Sequence, residues 1–346
     1  MKGCRFALYS LVLLLCGCGA GLGPPPLTSA GAPIVPQRFP AGKPASNVYW
    51  TLYASCKYPP IQYARIPLKK KTQAASYFCS KQNGLSYTSG LGIDSSGRLW
   101  VLSFNGKYGG KPGLVAVFKL PLKSSSVQQY TFVLSGTNGP NALAFDPSGN
   151  LWVTSPGNSS VLEYTGPFNK SGTISPALTI PGPSSFDPSG IAIDKSANIY
   201  VSNFASTGTG SIGVLASPYN GNPYFLDGLT GPGGLAFDKQ GNLYASSNGS
   251  TPAVVRYDSN DLKSGDKPSI VDPKGLPASS YEAAFAFTAK GDLYAANCGG
   301  KPSSGVAGID VWPLGKKKFS ATLAPSVLYA TPDVTQIGCA WGIAIK

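Results

Sequence analysis

One short phrase recurs along this chain and limits the folds open to it. It reads LGIDSSGRLWV at 91–101, LAFDPSGNLWV at 143–153, IAIDKSANIYV at 191–201 and LAFDKQGNLYA at 235–245, with a weaker copy, FAFTAKGDLYA, at 285–295. Each copy places two alternating apolar runs around a polar turn, which is typical of a β-hairpin. Hairpins repeated at intervals of roughly 45–50 residues indicate an array of small β-sheets.

The turn inside each copy contains residues that favour turns. In the second copy the Asp146 side chain can accept a hydrogen bond from the backbone two residues on, Pro147 presets φ, and Gly149 supplies a positive φ. The aspartate returns in three other copies as Asp94, Asp194 and Asp238, and Thr288 replaces it in the weak copy. We therefore predict that these aspartates hold turns and do not catalyse.

Two further strands follow each hairpin. The third strand reads LVAVF at 114–118 and AVVRY at 253–257, and the fourth is less regular, as in YTFVL at 130–134. The middle residue of the first strand is always small, as at Gly92 and Ala144, which suits an innermost strand crowded against a central axis. Four antiparallel strands per unit, repeated radially, indicate the blades of a β-propeller.

The two ends of the sequence complete the number of blades. The segment at 343–345 reads as a first strand without a second, and the segment at 47–55 reads as a second strand without a first. One blade is therefore shared between the N- and C-terminal segments. The prediction is an all-β, six-bladed propeller over residues 46–346, in which this closure removes an open sheet edge.

The repeated copies resemble NHL repeats and the related six-bladed propellers that include gluconolactonase-like proteins. The resemblance covers roughly residues 46–346 and implies a fold more than an activity. Gluconolactonase-like enzymes hold a divalent metal ion with carboxylate and amide side chains just before their first strands. Here those positions are Ser89, Asn141, Ser189, Gly233, Ala283 and Trp341. Only Asn141 is ligand-like, so no cofactor is evident, although a divalent cation such as calcium belongs to the enzyme alternative.

The N-terminal segment predicts export. Basic residues precede an apolar run at 6–15, which is a secretory signal too short to span a bilayer. The sequence LCGC at 15–18 resembles a bacterial lipobox, which implies that Cys18 carries lipid; ordinary cleavage and free secretion is the alternative. We expect a signal at 1–17 and a lipidated, Gly/Pro-rich tether at 18–45. The expected location is the outer membrane or the cell surface.

Four cysteines remain in the predicted propeller, at Cys56, Cys79, Cys298 and Cys339. An even number in an exported protein suggests two disulfides. We favour the pairs Cys56–Cys79 and Cys298–Cys339, with Cys56–Cys339 as the competing pair because it would link the two ends directly. Metal binding by these cysteines is not expected, since the chain has no Cys-x-x-Cys pair and no histidine.

Charge predicts a basic face. The formal net charge is +13, and many lysines fall between predicted third and fourth strands. These are Lys69, Lys70, Lys71, Lys119, Lys123, Lys170, Lys263, Lys267, Lys316, Lys317 and Lys318. Such loops share one end of a propeller, which we expect to attract anionic lipid headgroups, lipopolysaccharide or acidic glycans. The alternative is a set of solvated turns. Nucleic acid is not an expected partner of an exported protein.

The sequence offers little catalytic chemistry. There is no histidine, which removes the commonest general base. The two glutamates are Glu163, within a third strand, and Glu282, in the segment that leads to the fifth first strand near the channel mouth. Glu282 is the best single candidate for an acid, a base or a cation contact, and its alternative is a solvated loop carboxylate.

Asparagines follow most of the second strands and could surround the central opening. Together with residues before the first strands, the ligand-binding candidates are Asn105, Asn141, Asn158, Asn203, Asn248, Asn297, Glu282 and Trp341. Amides beside aromatic rings suit sugars or peptides. The leading hypothesis is a monomeric, envelope-anchored binding or scaffold module for a glycan, peptide or protein. The alternative is a metal-dependent hydrolase or lyase of the gluconolactonase-like type. A structural envelope protein without a small ligand is a third hypothesis.

Overall fold

A computed structural model describes most of the propeller region. The described residues are 47–52, 61–68, 76–78, 85, 87–104, 111–123, 125–183, 186–203, 210–260, 262–274, 276, 281–298, 308–325, 327–330 and 340–346. The chain divides into units 1–35 and 36–346, and every described residue belongs to the second. The predicted signal, Cys18 and the tether lie outside this set. Within it, no helix has the length and apolar character needed to cross a membrane.

The described secondary structure is almost entirely β. In chain order the strands are β1 (Asn47–Leu52), β2 (Ile61–Arg65), β3 (Ser76–Phe78), β4 (Thr88–Ile93), β5 (Arg98–Ser103), β6 (Gly113–Lys119), β7 (Tyr130–Leu134), β8 (Leu143–Phe145), β9 (Leu151–Ser155), β10 (Ser160–Tyr164), β11 (Gly172–Ile174), β12 (Leu178–Pro181), β13 (Pro188–Ile193), β14 (Ile199–Asn203), β15 (Gly210–Leu215), β16 (Tyr224–Leu229), β17 (Leu235–Phe237), β18 (Leu243–Ser247), β19 (Ala253–Tyr257), β20 (Ile270–Asp272), β21 (Glu282–Phe287), β22 (Leu293–Asn297), β23 (Gly308–Trp312), β24 (Val327–Ala330) and β25 (Ala340–Ile345). A short 3₁₀ helix occupies Pro156–Asn158.

These strands form the six blades of a propeller, as the repeats predict. Blade 1 has the strand order β25-β1-β2-β3, blade 2 contains β4 to β7, and blade 3 contains β8, β9, β10 and β12. Blades 4, 5 and 6 contain β13 to β16, β17 to β20 and β21 to β24 in simple sequence order. Within each blade these neighbouring strands are antiparallel.

Blade 1 closes the ring with strands from both ends of the described chain. β1 pairs with β25 in an antiparallel register that joins Val48 to Ile345 and Trp50 to Ile343. Backbone hydrogen bonds extend the pairing by one step, from Asn47 N to Lys346 O at 3.0 Å and from Lys346 N to Asn47 O at 3.1 Å. The predicted shared blade is therefore confirmed.

One strand was not predicted from the repeats. The chain between β10 and β12 crosses to the outer edge of blade 2, where β11 pairs in parallel with β7. Gly172 lies opposite Phe132 and Ile174 opposite Leu134. Blade 2 therefore has five strands. The added strand β11 comes from the chain of blade 3, and it pairs with backbone groups of β7 that would otherwise be unpaired.

The hydrophobic core lies between neighbouring blades. Trp100 of blade 2 is fully buried and stacks on Phe132 of the same blade, with ring centroids 5.5 Å apart. Its edges meet Phe145 and Phe168 of blade 3 at 5.0 and 5.1 Å. Such T-shaped contacts contribute stabilisation beyond that from burying the rings. The bulky residues of one blade therefore help to fix its distance from the next blade.

The turn aspartates have the structural role that the sequence predicts. Asp146 Oδ1 accepts the Asn150 backbone N–H at 2.9 Å, and Oδ2 accepts Asn150 Nδ2 at 2.9 Å and Trp152 Nε1 at 3.2 Å. Asp94, Asp194 and Asp238 bond their own turns in the same way. The oxygen atoms of these carboxylates therefore accept hydrogen bonds from backbone and side-chain donors of the hairpin.

A hydroxyl in the second strand joins neighbouring blades, a feature that the sequence reasoning missed. It accepts an N–H from its own blade and donates to a carbonyl of the next. The donor–carbonyl pairs are Thr51 to Ser89 (2.6 Å), Thr154 to Ser189 (3.0 Å) and Ser202 to Gly233 (2.8 Å). The signal was available, since these residues occupy one repeat position, where blades 2 and 6 have Leu102 and Ala296.

Candidate functional site at one mouth of the central channel

The first strands of the blades surround a central channel. It contains about 460 Å³ of space free of atoms, with its open mouth included. One small residue from each blade lines it, namely Gly90, Ala142, Gly190, Gly234, Ala284 and Gly342. A Cβ added at Gly190 would lie 2.1 Å from Gly233 O, so the lack of a side chain permits this close approach of the strands. The lining residues precede by two positions the small residues singled out in the sequence.

Four side chains meet across the mouth where the first strands begin. The Trp341 Nε1–H of blade 1 donates to Asn141 Oδ1 at 2.6 Å, and Asn141 Nδ2 donates to Ser189 Oγ at 3.1 Å. Ser189 hydrogen-bonds to the Tyr281 side chain. The Tyr281 ring stacks on Trp341, with centroids 5.9 Å apart and planes 21° apart. These residues form a closed ring, which we call the mouth cluster.

The mouth cluster is held by the starts of four different first strands. Trp341 is the second residue of β25 and Ser189 the second of β13, whereas Tyr281 directly precedes β21 and Asn141 lies two residues before β8. Backbone hydrogen bonding from Asn141 N to Thr154 O at 3.0 Å fixes the amide to blade 3. Asn141 and Ser189 are buried, while the two aromatic rings are half-buried. A ligand at this mouth would therefore meet ring faces and edges first.

A carboxylate lies beside the mouth cluster. Asp187 is exposed, and its backbone N–H donates to Asn203 Oδ1 at 2.8 Å. Partial desolvation raises the pKa of Asp187, and the Asp187 charge in turn raises the pKa of Tyr281, although burial is the larger cause for the phenol. Asp187 was missed by the sequence reasoning, and its only signal was its position directly before the first strand of blade 4.

Two of the candidate asparagines bond to backbone that leads into first strands. Asn203 Oδ1 accepts the Asp187 N–H, and Asn248 Oδ1 accepts the Glu282 N–H at 2.9 Å. Asn248 Nδ2 also donates to Ser246 Oγ at 3.1 Å. These amides therefore fix the segments that carry the mouth, in blades 4 and 6.

The other candidates lie in different surroundings. Asn158 is the exposed last residue of the 3₁₀ helix and donates to Gly136 O at 2.7 Å. Asn297 is fully buried and donates to Asp310 Oδ2 at 2.8 Å. Asn105 lies outside the described residues. Of the predicted ligand candidates, the structure brings Asn141 and Trp341 into direct contact.

Glu282 occupies a different place from the one expected. It is the first residue of β21, where a bulge between 282 and 284 pairs it with Asn297, and it is 0% exposed. Its partner is Asp310 of β23, 1% exposed. Glu282 is therefore neither a solvated loop carboxylate nor one of the residues that line the channel.

Glu282 and Asp310 form a buried carboxyl pair. Neither Glu282 oxygen meets an N–H or hydroxyl donor of the described residues, so a hydrogen bond between the two carboxyl groups requires a proton between them. Burial, reinforced by the Asp310 charge, raises the pKa of Glu282 well above its usual value. Burial also raises the pKa of Asp310, to about 6. Two carboxylate charges cannot be buried together without a cation, so this environment favours a state of the pair that retains a proton.

The residues at the mouth do not fit a divalent metal ion of the gluconolactonase kind. Both polar atoms of Asn141 are occupied by Trp341 and Ser189, and Ser89 Oγ donates to Pro140 O at 3.1 Å. Hard cations need several oxygen ligands directed at one point. Among the described residues no cluster of three His, Cys, Asp or Glu side chains is present. The polar side chains at this mouth therefore hydrogen-bond to one another or to backbone, and their oxygen atoms do not converge on a common cation position.

One of the four predicted disulfide cysteines is described. Cys298 follows β22, is 9% exposed and is disulfide-bonded. Cys56, Cys79 and Cys339 lie outside the described residues, so the pairing stays a prediction.

Comparison with known proteins identifies the fold alone. No family model matches this sequence, and no curated protein matches it. A 6-phosphogluconolactonase candidate from Bacteroides uniformis has a similar structure, with a TM-score of 0.58 and 12% identity over 88% of this chain and 100% of that chain. A second such candidate, from Bacteroides fragilis, has a TM-score of 0.57 and 11% identity over 87% and 98%. A protein of unknown function from Desulfotomaculum acetoxidans has a TM-score of 0.53 and 13% identity over 88% and 90%.

Proposed function

We propose that this protein is a binding module of the bacterial cell envelope that takes a glycan at the mouth cluster. The observation that carries the proposal is the ring of Trp341, Asn141, Ser189 and Tyr281, which joins aromatic faces to amide and hydroxyl groups at one channel mouth. Sugars present flat C–H faces beside hydroxyl groups, and this combination is complementary to aromatic rings next to polar side chains.

The rigidity of the mouth supports binding. Its side chains are held by strands of four blades and by hydrogen bonds to each other, so little ordering is needed when a ligand arrives. Asp187 adds an acceptor for sugar hydroxyls at the rim. The envelope location rests on the predicted signal and lipidated Cys18, and the NHL-like character rests on the repeated phrase.

A binding titration tests the proposal. The protein as processed by the cell is titrated with neutral oligosaccharides and peptidoglycan fragments, beside Trp341→Ala and, as a matched control, Asn169→Ala. Asn169 is exposed in a loop at the opposite end of the propeller. We expect Trp341→Ala to weaken binding at least tenfold, equivalent to about 1.4 kcal/mol, and Asn169→Ala to leave it unchanged. Binding of peptides alone, or equal binding by both variants, would contradict a glycan site at the mouth.

A second candidate function is hydrolysis of a lactone or a related ester. One observation favours it: the exposed Asp187 carboxylate, whose pKa is raised by desolvation, lies near the Tyr281 side chain. A carboxylate with a raised pKa is a better general base near neutral pH. If this function is correct, the protein will open sugar lactones and Asp187→Asn will abolish the activity. Turnover by the variant at the wild-type rate would rule Asp187 out.

A further inference from the structure

The end of the propeller opposite the mouth cluster carries a dense set of lysines. This end, which we call the basic face, consists of the turns between first and second strands and the loops between third and fourth strands. Its described, exposed lysines are Lys119, Lys123, Lys170, Lys195, Lys239, Lys263, Lys267, Lys290, Lys316, Lys317, Lys318 and Lys346. The sequence predicted the outer lysines of the third-to-fourth-strand loops. It did not single out Lys195, Lys239, Lys290 and Lys346, which lie at the ends of first strands at this same end and which we call the inner lysines.

The inner lysines are positioned by the backbone of the neighbouring blade. Lys195 Nζ of blade 4 donates to Lys239 O of blade 5 at 3.2 Å, and Lys239 Nζ donates to Ala289 O of blade 6. Lys346 Nζ of blade 1 donates to Gly97 O of blade 2 at 2.7 Å. Each ammonium has three N–H donors, so two remain for an external anion. Repeated contacts of this kind hold the charges near the centre of the basic face.

Several acidic residues of this end are engaged by neighbouring hydrogen-bond donors. Asp94 and Asp146 are buried beneath their turns, where they accept hydrogen bonds. Asp258 forms an ion pair with Arg256 at 2.6 Å. The outward potential of the basic face is therefore set mainly by ammonium groups, which strengthens its attraction for anions.

The chain also enters the propeller at the basic face. Asn47 begins β1 and exchanges both backbone hydrogen bonds with Lys346, one of the inner lysines. Residue 46 is covalently joined to Asn47, so the predicted tether connects to the propeller at this end.

We propose that the basic face docks on the anionic phospholipid headgroups of the membrane in which the protein is anchored. The lysines extend from the ends of the first strands to the loops between third and fourth strands, so they match a broad negative surface and not a single small anion. A basic patch adds electrostatic attraction to an anionic membrane surface, beyond what a lipid anchor supplies. This proposal rests on the envelope location proposed for the protein, and it leaves the mouth cluster facing away from the bilayer.

Lysine footprinting on vesicles tests the orientation. The protein as processed by the cell is placed on vesicles of phosphatidylcholine with about one third phosphatidylglycerol, or of phosphatidylcholine alone, and is acetylated briefly. Mass spectrometry then gives the rate at each lysine. We expect Lys195, Lys239 and Lys290 to react several-fold more slowly on the anionic vesicles. Lys111 and Lys274, exposed at the opposite end, serve as matched internal controls and should react equally on both.

Two double variants measure the contribution of the charges. Lys239→Ser with Lys290→Ser should reduce the preference for anionic over neutral vesicles by about fivefold per lysine, and Lys111→Ser with Lys274→Ser should not change it. Equal protection at both ends, no protection at either end, or equal losses in the two double variants would overturn the proposal. Flotation on neutral vesicles measures membrane attachment through the lipid anchor, and the sugar titration measures binding at the mouth cluster. Failure of the docking proposal can therefore be distinguished from failure of the proposed function.

Discussion

The Trp341 indole N–H donates to Asn141 Oδ1 at 2.6 Å, although the two residues are 200 positions apart and belong to blades 1 and 3. The contact crosses the channel mouth, and Trp341 also stacks on Tyr281 of blade 6. A single side chain of the closing strand therefore connects three blades. Closure of the ring and formation of the mouth cluster are consequently one structural event.

Trp341→Phe should show how much the hydrogen bond between Trp341 and Asn141 contributes to the stability of the fold. The substitution keeps an aromatic ring for Tyr281 but removes the indole N–H, leaving the buried Asn141 Oδ1 without this donor. We expect a loss of about 1–2 kcal/mol in the free energy of unfolding, measured with urea. Asn141→Ala and the double variant complete a thermodynamic cycle. Additive effects of the two changes would show that the hydrogen bond contributes no coupling energy.

Removing residues 341–346 should open the propeller. These residues supply most of β25, which pairs with β1 and packs Ile343 and Ala344 between blades. Without them β1 becomes an exposed edge, and apolar surface of blades 1, 2 and 6 meets water. We expect a lower melting temperature and rapid proteolysis, compared with a chain shortened by Lys346 alone. Unchanged melting and protease resistance would refute closure by this blade.

The Glu282–Asp310 pair predicts that stability falls as the pH rises. Burial raises both pKa values, so the folded state retains protons that the unfolded chain releases near pH 4. Stability is thus highest below the unfolded pKa values and is lost as the pH rises through about 6, the folded pKa of Asp310. The contribution is on the order of 2–3 kcal/mol.

Glu282→Gln tests the assignment of this pH dependence. The amide can donate to Asp310 without a shared proton, so the variant should be more stable than the wild type at pH 8 and should lose the decline between pH 4 and 7. Glu163→Gln is the comparison for a smaller effect, because Glu163 is only half-buried within β10 and its pKa is also raised by burial. Chemical unfolding across this pH range gives both curves. Parallel curves for the wild type and Glu282→Gln would contradict a shared proton.

Thr154→Val should weaken the junction between blades 3 and 4. The Thr154 hydroxyl accepts the Ala142 N–H at 2.9 Å and donates to Ser189 O at 3.0 Å, and valine has the same shape without either hydrogen bond. We expect a loss of about 1–3 kcal/mol, since two buried backbone groups lose a partner. Thr179→Val, at an exposed strand position, should cost little. Thermal or urea unfolding measures the stability of both variants. Equal losses of stability would contradict a role for the Thr154 hydroxyl in joining blades 3 and 4.

Much of the blade architecture could be predicted because it is local in sequence. The alternation of apolar and polar residues around Asp146 and Asp238 indicates which face of each strand is buried. The turn residues locate the hairpin to within a few residues. The shared blade was also predictable, because its halves are incomplete copies of the same repeat. β11 was not, since its pairing with β7 depends on how far a loop can reach in the assembled ring.

The candidate site depended on tertiary structure. Sequence alone determined six blades, their hairpins and the residue types near the channel, including Asn141 and Trp341. Only the closed ring decided that these two side chains meet, that Asp187 lies beside them, and that Glu282 is buried against Asp310. The physical reason is that repeat patterns encode contacts within a hairpin. Contacts between blades depend on the angle and distance at which packed sheets meet, and those are set by the whole core.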